Sequence, residues 1–484
     1  MLQQSYLDQR LSQLYINGEW RECKSSKWLD VTNPCNESLI GKLALGQHNE
    51  IDDAVQAAQR AFPLYSKTSK IERIELLKCI LSIYRKRVNE FAEAISYEIG
   101  APITFSRTSQ AQAGIDHLEA LIADLERYQF KTTLNNGNTV LMEPVGVCGL
   151  ITPWNWPINQ IVLKVGPALA AGCTMILKPS ELTPISAILF TEVLNQAGVP
   201  PGVFNLVQGE GSVAGAALSK HPDVSMISFT GSTRAGHSIY QNCAERIAKV
   251  TLELGGKSAN ILFDDCVIDK SVHRGIEACF INSGQSCDAA SRMLVEKSIY
   301  RQVIDQARIK CENFSLGKTT ISGENLGPLI NKVQFDRVQH LIAIGIEEGA
   351  TLICGGLGKP KGFERGYYVK PTIFADVRND MKIAQEEIFG PVLCIIPFET
   401  EQEAINIAND SPYGLAAYVQ TSDSDRALRV ARSIRCGSIN INGEFLSAGS
   451  PFGGYKLSGL GREGGLEGLK DFLEIKSIAT PYMF

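Results

Sequence analysis

Short β-rich runs alternate with helical stretches between residues 144 and 262, which predicts an α/β protein built on a doubly wound parallel sheet. The runs 145–151, 174–178, 203–207, 224–229 and 248–252 read as strands, and 158–170, 185–197, 212–219 and 234–244 as the helices between them. Two further observations agree. At 484 residues the chain is long enough for about three domains. Its 44% hydrophobic and 20% charged residues are the composition of an ordinary globular protein that buries several cores.

Upstream, residues 51–61 and 71–99 have helical periodicity, with Ile71, Ile74, Leu77 and Ile80 spaced to share a face, and 112–129 form another helix. The polar stretch 131–143, turning at Asn135-Asn136-Gly137, predicts an exposed hairpin. A second α/β segment spans about 256–446 and contains a helix over Ile268–Ile281. The tail, 447–484, begins glycine-rich and ends in a strand from Phe472 to Ala479.

Charge and composition exclude several functions. With 47 basic and 52 acidic residues the net charge is −5, without the basic excess that drives nucleic-acid binding. No apolar run approaches the roughly 18 residues that span a bilayer, and Met1–Arg10 lacks the apolar region of a secretory signal. The 13 cysteines, scattered from Cys23 to Cys436 without CxxC or metal-site spacing, predict no metal and a reducing cytoplasm with mostly inert thiols.

Gly209-Glu210-Gly211-Ser212-Val213-Ala214 matches a GxGxxA dinucleotide fingerprint between a strand and a helix. Residues 224–244 contain no Asp or Glu to serve as its ribose-binding partner, so a tight strand-to-helix turn explains the motif equally well.

Three loops carry more chemistry. In Pro153-Trp154-Asn155-Trp156-Pro157, two prolines fix an amide able to donate to a developing oxyanion; a rigid turn with core tryptophans is the alternative. In Glu253-Leu254-Gly255-Gly256, a carboxylate at a strand end stands beside glycines that let a ligand approach, although such a residue is commonly just solvated. In Ser283-Gly284-Gln285-Ser286-Cys287, a glycine-bearing loop presents a thiol able to act as nucleophile, where most cysteines are core filler. Asp288 beside it raises the thiol pKa, so activation has to come from elsewhere.

These loops, in this order, resemble the non-acylating, NAD(P)-dependent branch of the aldehyde dehydrogenase superfamily. The resemblance runs from Tyr15 to about Ile478 and includes Lys178-Pro179-Ser180-Glu181, Phe229-Thr230-Gly231-Ser232-Thr233, Glu386-Glu387-Ile388-Phe389-Gly390-Pro391 and Ser450-Pro451-Phe452-Gly453-Gly454-Tyr455-Lys456. It implies that Cys287 attacks an aldehyde and that Asn155 and the Cys287 amide hold the thiohemiacetal oxyanion. Hydride then passes to NAD, Glu253 assists thiol deprotonation and later activates the water that hydrolyses the thioester, and Lys164 and Glu463 relay protons.

The same resemblance assigns cofactor contacts to Ile151, Thr152, Pro153, Trp154, Lys178, Ser180, Glu181, Gly211, Gly215, Phe229, Gly231, Ser232, Leu254, Gly255, Glu387 and Phe389. A carboxylate at Glu181 favours NAD over NADP, because it repels a 2′-phosphate. The substrate tunnel is matched by Trp156, Asn159, Gln160, Leu163, Ile281, Ser286, Asp288, Glu444, Leu446 and Phe452. Asn159, Gln160, Asp288 and Glu444 make it polar and acidic, which suggests a cationic or amino-aldehyde; alternatively Asp288 and Glu444 face solvent and select nothing.

By resemblance the fold comprises two doubly wound α/β domains and a β arm. An NAD-binding domain takes 1–125 and 145–253, a catalytic domain 254–446, and an oligomerisation arm and C-terminal tail 126–144 and 447–484. A homodimer or homotetramer follows from such an arm. The rival readings are a coenzyme A-acylating enzyme, which characteristically lacks the glutamate found here at Glu253, and a catalytically silent protein on the same fold. No GxSxG supports a serine hydrolase, and Gly256-Lys257-Ser258 lacks the upstream glycine of a P-loop, with Thr251 in its place.

Overall fold

A computed structural model describes residues 3–479 apart from 313, 318 and 320–324. Residues 480–484 of the expected tail therefore lie outside the described residues.

Two large sheets organise the chain. In the first, five parallel strands run in the order Phe204–Leu206, Thr174–Lys178, Val147–Ile151, Met226–Thr230, Lys249–Glu253. The chain winds one way from Val147–Ile151 and then the other, so the strand order reverses between it and Met226–Thr230. Ligands bind at the carboxyl ends of strands at such a reversal. The expectation of a purely parallel sheet is corrected at both edges. Gln13–Ile16 and Glu19–Glu22 add antiparallel strands on one side, and Gly459–Leu460 adds one on the other. The second sheet is ordered Thr351–Cys354, Thr372–Ala375, Val392–Phe398, Arg292–Glu296, Ala259–Leu262, Ala416–Gln420, Ser438–Ile441, parallel except for the first.

Local chemistry sets the helix limits. Ser69 and Glu72 form a capping box that starts the helix Lys70–Ile99, and Gly100 ends it in the left-handed conformation at φ 72°. Ile74, Leu77 and Ile80 are buried as expected, whereas Ile71 is 70% exposed. Three successive steps of three residues leave Ile71 about half a turn from Ile80, so the four do not share one face. The helix Pro157–Ala171 starts on a proline and is buried at every residue but Asn159. It is apolar nearly all round, as a helix enclosed on all sides must be.

The expected hairpin is present as Lys131–Thr133 and Thr139–Pro144, and Leu473–Ile478 pairs antiparallel with its second strand to make a separate three-stranded sheet. Earlier parts of the tail go elsewhere: Gly459–Leu460 extends the first sheet, and Phe452 bridges Glu463. Cys311 and Cys354 are joined in a disulfide, which corrects the expectation of unpaired thiols at this pair; the other eleven cysteines are free. Among the described residues no cluster of His, Cys, Asp or Glu could hold a metal, and no helix is long and apolar enough to cross a membrane.

Candidate active site

The three loops converge where the two sheets meet. Asn155 follows the strand Val147–Ile151, Glu253 ends the strand Lys249–Glu253, and Cys287 follows the helix Ile268–Phe280. Before Cys287 the backbone takes three left-handed residues in a row, Asn282 at φ 54°, Ser283 at φ 56° and Gly284 at φ 74°. Gly284 is required there: a Cβ would lie 2.1 Å from the Gly390 carbonyl.

Polar side chains hold this turn against the Asn155 loop. Asn155 Nδ2 donates to the Gln285 carbonyl at 3.0 Å, while its own carbonyl accepts from Gln110 Nε2 at 3.0 Å and Asn282 Nδ2 at 2.9 Å. Gln285 Oε1 accepts Ile330 N–H at 2.9 Å, and Trp156 Nε1 donates to Ser286 Oγ at 2.9 Å. A primary amide carries two N–H donors, so one of Asn155 remains for a ligand. Gln110, Asn282 and Gln285 were missed in the sequence. The signal available was local: Gln285 inside the cysteine loop, and Asn282 as a residue that tolerates the left-handed conformation.

Cys287 keeps part of its surface open. Enclosure pushes its thiol well above the ordinary range, reinforced by the charges of Asp288, Glu387 and Glu253. The effect expected of Asp288 is thus present, second to burial. Glu253 is 3% exposed, and neither of its carboxylate oxygens accepts a hydrogen bond from any described residue. Burial, together with the charge of Glu463, holds this carboxyl well above the usual range, against the pull of Lys164 and Arg462. An unpartnered carboxyl with a raised pKa is the state of a poised general base. Beneath it, fully buried Lys164 pairs with Glu463 and donates to Ser228 Oγ at 3.0 Å.

The residues expected to contact the cofactor lie around the carboxyl ends of the first sheet's strands and the loop carrying Glu387 and Phe389. Lys178 Nζ pairs with Glu181 at 2.9 Å, and Ser180 Oγ accepts Leu182 N–H at 3.3 Å. Thr152 N–H donates to the Lys178 carbonyl at 3.2 Å, joining two loops that follow adjacent strands. Gly211–Gly215 forms a π-helical turn, and a Cβ on Gly215 would lie 4.0 Å from Lys178 Cδ. The GxGxxA segment therefore borders Lys178 as a turn. Gly231 covers the Phe229 ring, and Ser232 caps the helix Thr233–Ala244 through Ala235 N–H at 3.3 Å. Glu387 accepts Gly256 N–H at 3.0 Å, and a Cβ on Gly255 would lie 2.2 Å from its carboxylate. Burial pushes Glu387 up to about 7. Phe389, at φ 59°, meets Trp154 edge-on at 5.5 Å. Ile151 and Pro153 flank Thr152 at the end of their strand, and Leu254 follows Glu253.

These residues fit a dinucleotide. The hydroxyls of Thr152 and Thr230, each just beyond or at the end of a strand flanking the reversal, are buried without a partner among the described residues. A capped helix N-terminus beside them suits a pyrophosphate.

A cavity of about 810 Å³ opens on the residues either side of Cys287. Of the expected tunnel residues it is lined by Trp156, Ile281, Ser286 and Asp288. The other six expected tunnel residues are not among those lining this cavity; Glu444 and Leu446 line a separate pocket with Phe445. Asn159 meets His117 at 2.8 Å, Gln160 and Leu163 are buried, with Gln160 Oε1 lacking a partner among the described residues, and the Phe452 backbone bridges Glu463. Glu444 is exposed and Leu446 is 45% exposed, both beside Phe445, which does line the cavity. The walls are largely apolar and include five aromatic side chains, Phe105, Trp156, Phe314, Tyr418 and Phe445.

Comparison with known proteins decides the family. Residues 20–478 match the aldehyde dehydrogenase family. This chain belongs to it. A Pseudomonas relative named 3-succinoylsemialdehyde-pyridine dehydrogenase is 49% identical over 96% of this chain and 98% of its own. The crystal structure of an aldehyde dehydrogenase from Bartonella henselae superposes with a TM-score of 0.95 at 48% identity, covering 96% of this chain and 98% of that one. A cysteine-to-alanine variant of aldehyde dehydrogenase C from Pseudomonas syringae, crystallised with NAD+ and octanal, gives 0.96 at 44% identity, covering 98% of both.

Proposed function

We propose that this aldehyde dehydrogenase oxidises an aldehyde to its carboxylic acid with NAD and water, through a thioester on Cys287. The observation that carries the proposal is the buried, unpartnered Glu253 carboxylate, close enough to Cys287 for its charge to raise the thiol. Lys178, Ser180 and Glu181 hold the adenosine ribose, and Glu181 disfavours a 2′-phosphate and hence NADP. Gly231 and Ser232 receive the pyrophosphate, and Glu387 and Phe389 place the nicotinamide end. When bound, NAD supplies the hydride acceptor. The first sheet then belongs to a cofactor domain (1–125 and 145–253) and the second to a catalytic domain (254–446).

Glu253 assists in removing the Cys287 thiol proton, the thiolate adds to the aldehyde carbon, and the carbonyl oxygen takes up the negative charge. The spare N–H of Asn155 and the Cys287 backbone N–H stabilise that oxyanion. Once hydride has left the carbon, a thioester remains on Cys287. Glu253 takes a proton from the water that attacks it, the acid departs, and the thiol is restored. Lys164 and Glu463 pass that proton onward. Asn155→Ala is expected to lower kcat on the order of 10²–10³-fold, the cost of one oxyanion donor; kcat within a factor of about two removes Asn155 from this role.

The apolar walls, with their five aromatic side chains, favour an apolar, ring-bearing aldehyde. The name of the Pseudomonas relative specifies a pyridine-bearing one, and the Pseudomonas syringae enzyme was crystallised with an alkyl aldehyde. One observation favours the cationic reading: Asp288 and Glu277 share the cavity. Glu277 already faces His273 at 3.1 Å, however, and Lys310 brings a positive charge to the same cavity. In a kinetic panel, kcat/KM for benzaldehyde and hexanal is expected to exceed that for 4-aminobutanal by about tenfold or more. The reverse order restores the cationic reading.

The three-stranded sheet supports assembly. Its edge strand Leu473–Ile478 exposes Ile475 to 71%, and such an edge pairs readily with another chain. We place the protein in the cytoplasm as a homodimer or homotetramer; the eleven free thiols suit a reducing environment, and the Cys311–Cys354 disulfide does not. Light scattering at micromolar concentration is expected to give at least a dimer; a monomer contradicts the arm.

A further inference from the structure

Glu98, in the last turn of the helix Lys70–Ile99, has no exposed surface and no part in the chemistry above. Its carboxylate receives three donors. Ile185 N–H donates to Oε2 at 2.8 Å, Ser186 N–H to Oε1 at 3.0 Å, and the Ser186 hydroxyl also donates to Oε1. Both N–H groups lie in the first turn of the helix Pro184–Gln196, where backbone donors have no partner within the helix. The backbone presents a donor to each carboxylate oxygen. A glutamine would bring an N–H₂ against one of these donors, so the position selects a carboxylate despite the cost of burying it. Burial accordingly pushes Glu98 up to about 7.

Two working surfaces meet at this carboxylate. On one side, the helix it caps is entered directly from Lys178–Thr183, a tight turn closed by Thr183 N–H to the Ser180 carbonyl at 3.2 Å. On the other, the residues that follow Glu98, namely Ile99, Gly100, Ala101 and Pro102, line the substrate cavity. Gly100 is packed so closely that a Cβ would lie 2.6 Å from Pro328, also a cavity residue.

We infer that Glu98 is a positioning residue that fixes the adenosine loop and the cavity wall together, so that one buried carboxylate sets the affinity for both substrates. This rests on the assignment of Lys178 and Glu181 to the adenosine ribose. The test compares Glu98→Gln, Ser186→Ala and Glu181→Gln by steady-state kinetics and thermal unfolding. For Glu98→Gln, KM for NAD is expected to rise about tenfold or more and KM for benzaldehyde severalfold, while kcat at saturation stays within about threefold. Ser186→Ala, which removes one donor, is expected to raise KM for NAD by a smaller factor, and it carries the test if Glu98→Gln does not fold. A purely structural role lowers the unfolding temperature and leaves these KM values in place. Unchanged KM for NAD in folded Glu98→Gln or, failing that, in Ser186→Ala, alongside a raised KM in Glu181→Gln, overturns the inference and spares the cofactor assignment. An unchanged KM in Glu181→Gln overturns both.

Discussion

Replacing Cys287 with alanine is expected to reduce aldehyde-dependent NADH formation on the order of 10⁴-fold or more. Without the sulfur no tetrahedral adduct forms, and an aldehyde carbon has no negatively charged oxygen to expel hydride. The loop survives the change, because its shape comes from the left-handed run 282–284 and from the bonds among Asn155, Asn282 and Gln285. The cofactor residues and the cavity walls are untouched, so NAD and aldehyde still bind. Undiminished turnover in this variant would overturn the assignment of the nucleophile and, with it, the reaction proposed here.

Glu253→Gln separates the two halves of the reaction. Thiol addition and hydride departure need no water, so one equivalent of NADH per site is expected in a burst. Hydrolysis has lost its base, so the following steady rate falls by about 10²–10⁴-fold. The variant should fold at least as well as the parent, because it removes a buried charge that no described residue stabilises by a hydrogen bond. An equal loss of burst and steady rate would make Glu253 essential to the first half as well, as the base that deprotonates the thiol. Coenzyme A provides the complementary control. If it accelerates the unmodified enzyme and takes up the acyl group, the acylating reading replaces hydrolysis.

Much of this was legible in the sequence because the relevant signals are local. The strand Thr174–Lys178 is delimited by its own residues, and the nine alternating elements from 145 to 252 recur within one or two positions except at 212–219. The latter is split into a π-turn and a short helix around the GxGxxA glycines. The edges of the first sheet were not legible. Gly459–Leu460 is a two-residue strand in a glycine-rich tail, and only its partner Leu252–Glu253 gives it extended structure. The full lining of the cavity was not legible for a related reason. Asn159 and Gln160 lie one turn from Asn155, yet their helix turns them to His117 and into the interior. Phe105 and Phe314 reach the same cavity from segments far away in sequence, where no local pattern marks them. Glu98 belongs with them: its role exists only because two helices distant in sequence meet end to side.

The central claim is that the acyl group rests on Cys287 before water releases it. Intact-protein mass spectrometry of Glu253→Gln incubated with NAD and benzaldehyde tests it directly. The expected product is one adduct per chain with the mass of the aldehyde less two hydrogens, mapped by proteolysis to the peptide containing Cys287 and absent when Cys287 is also alanine. An NADH burst without any adduct, or an adduct on a different residue, would contradict the account.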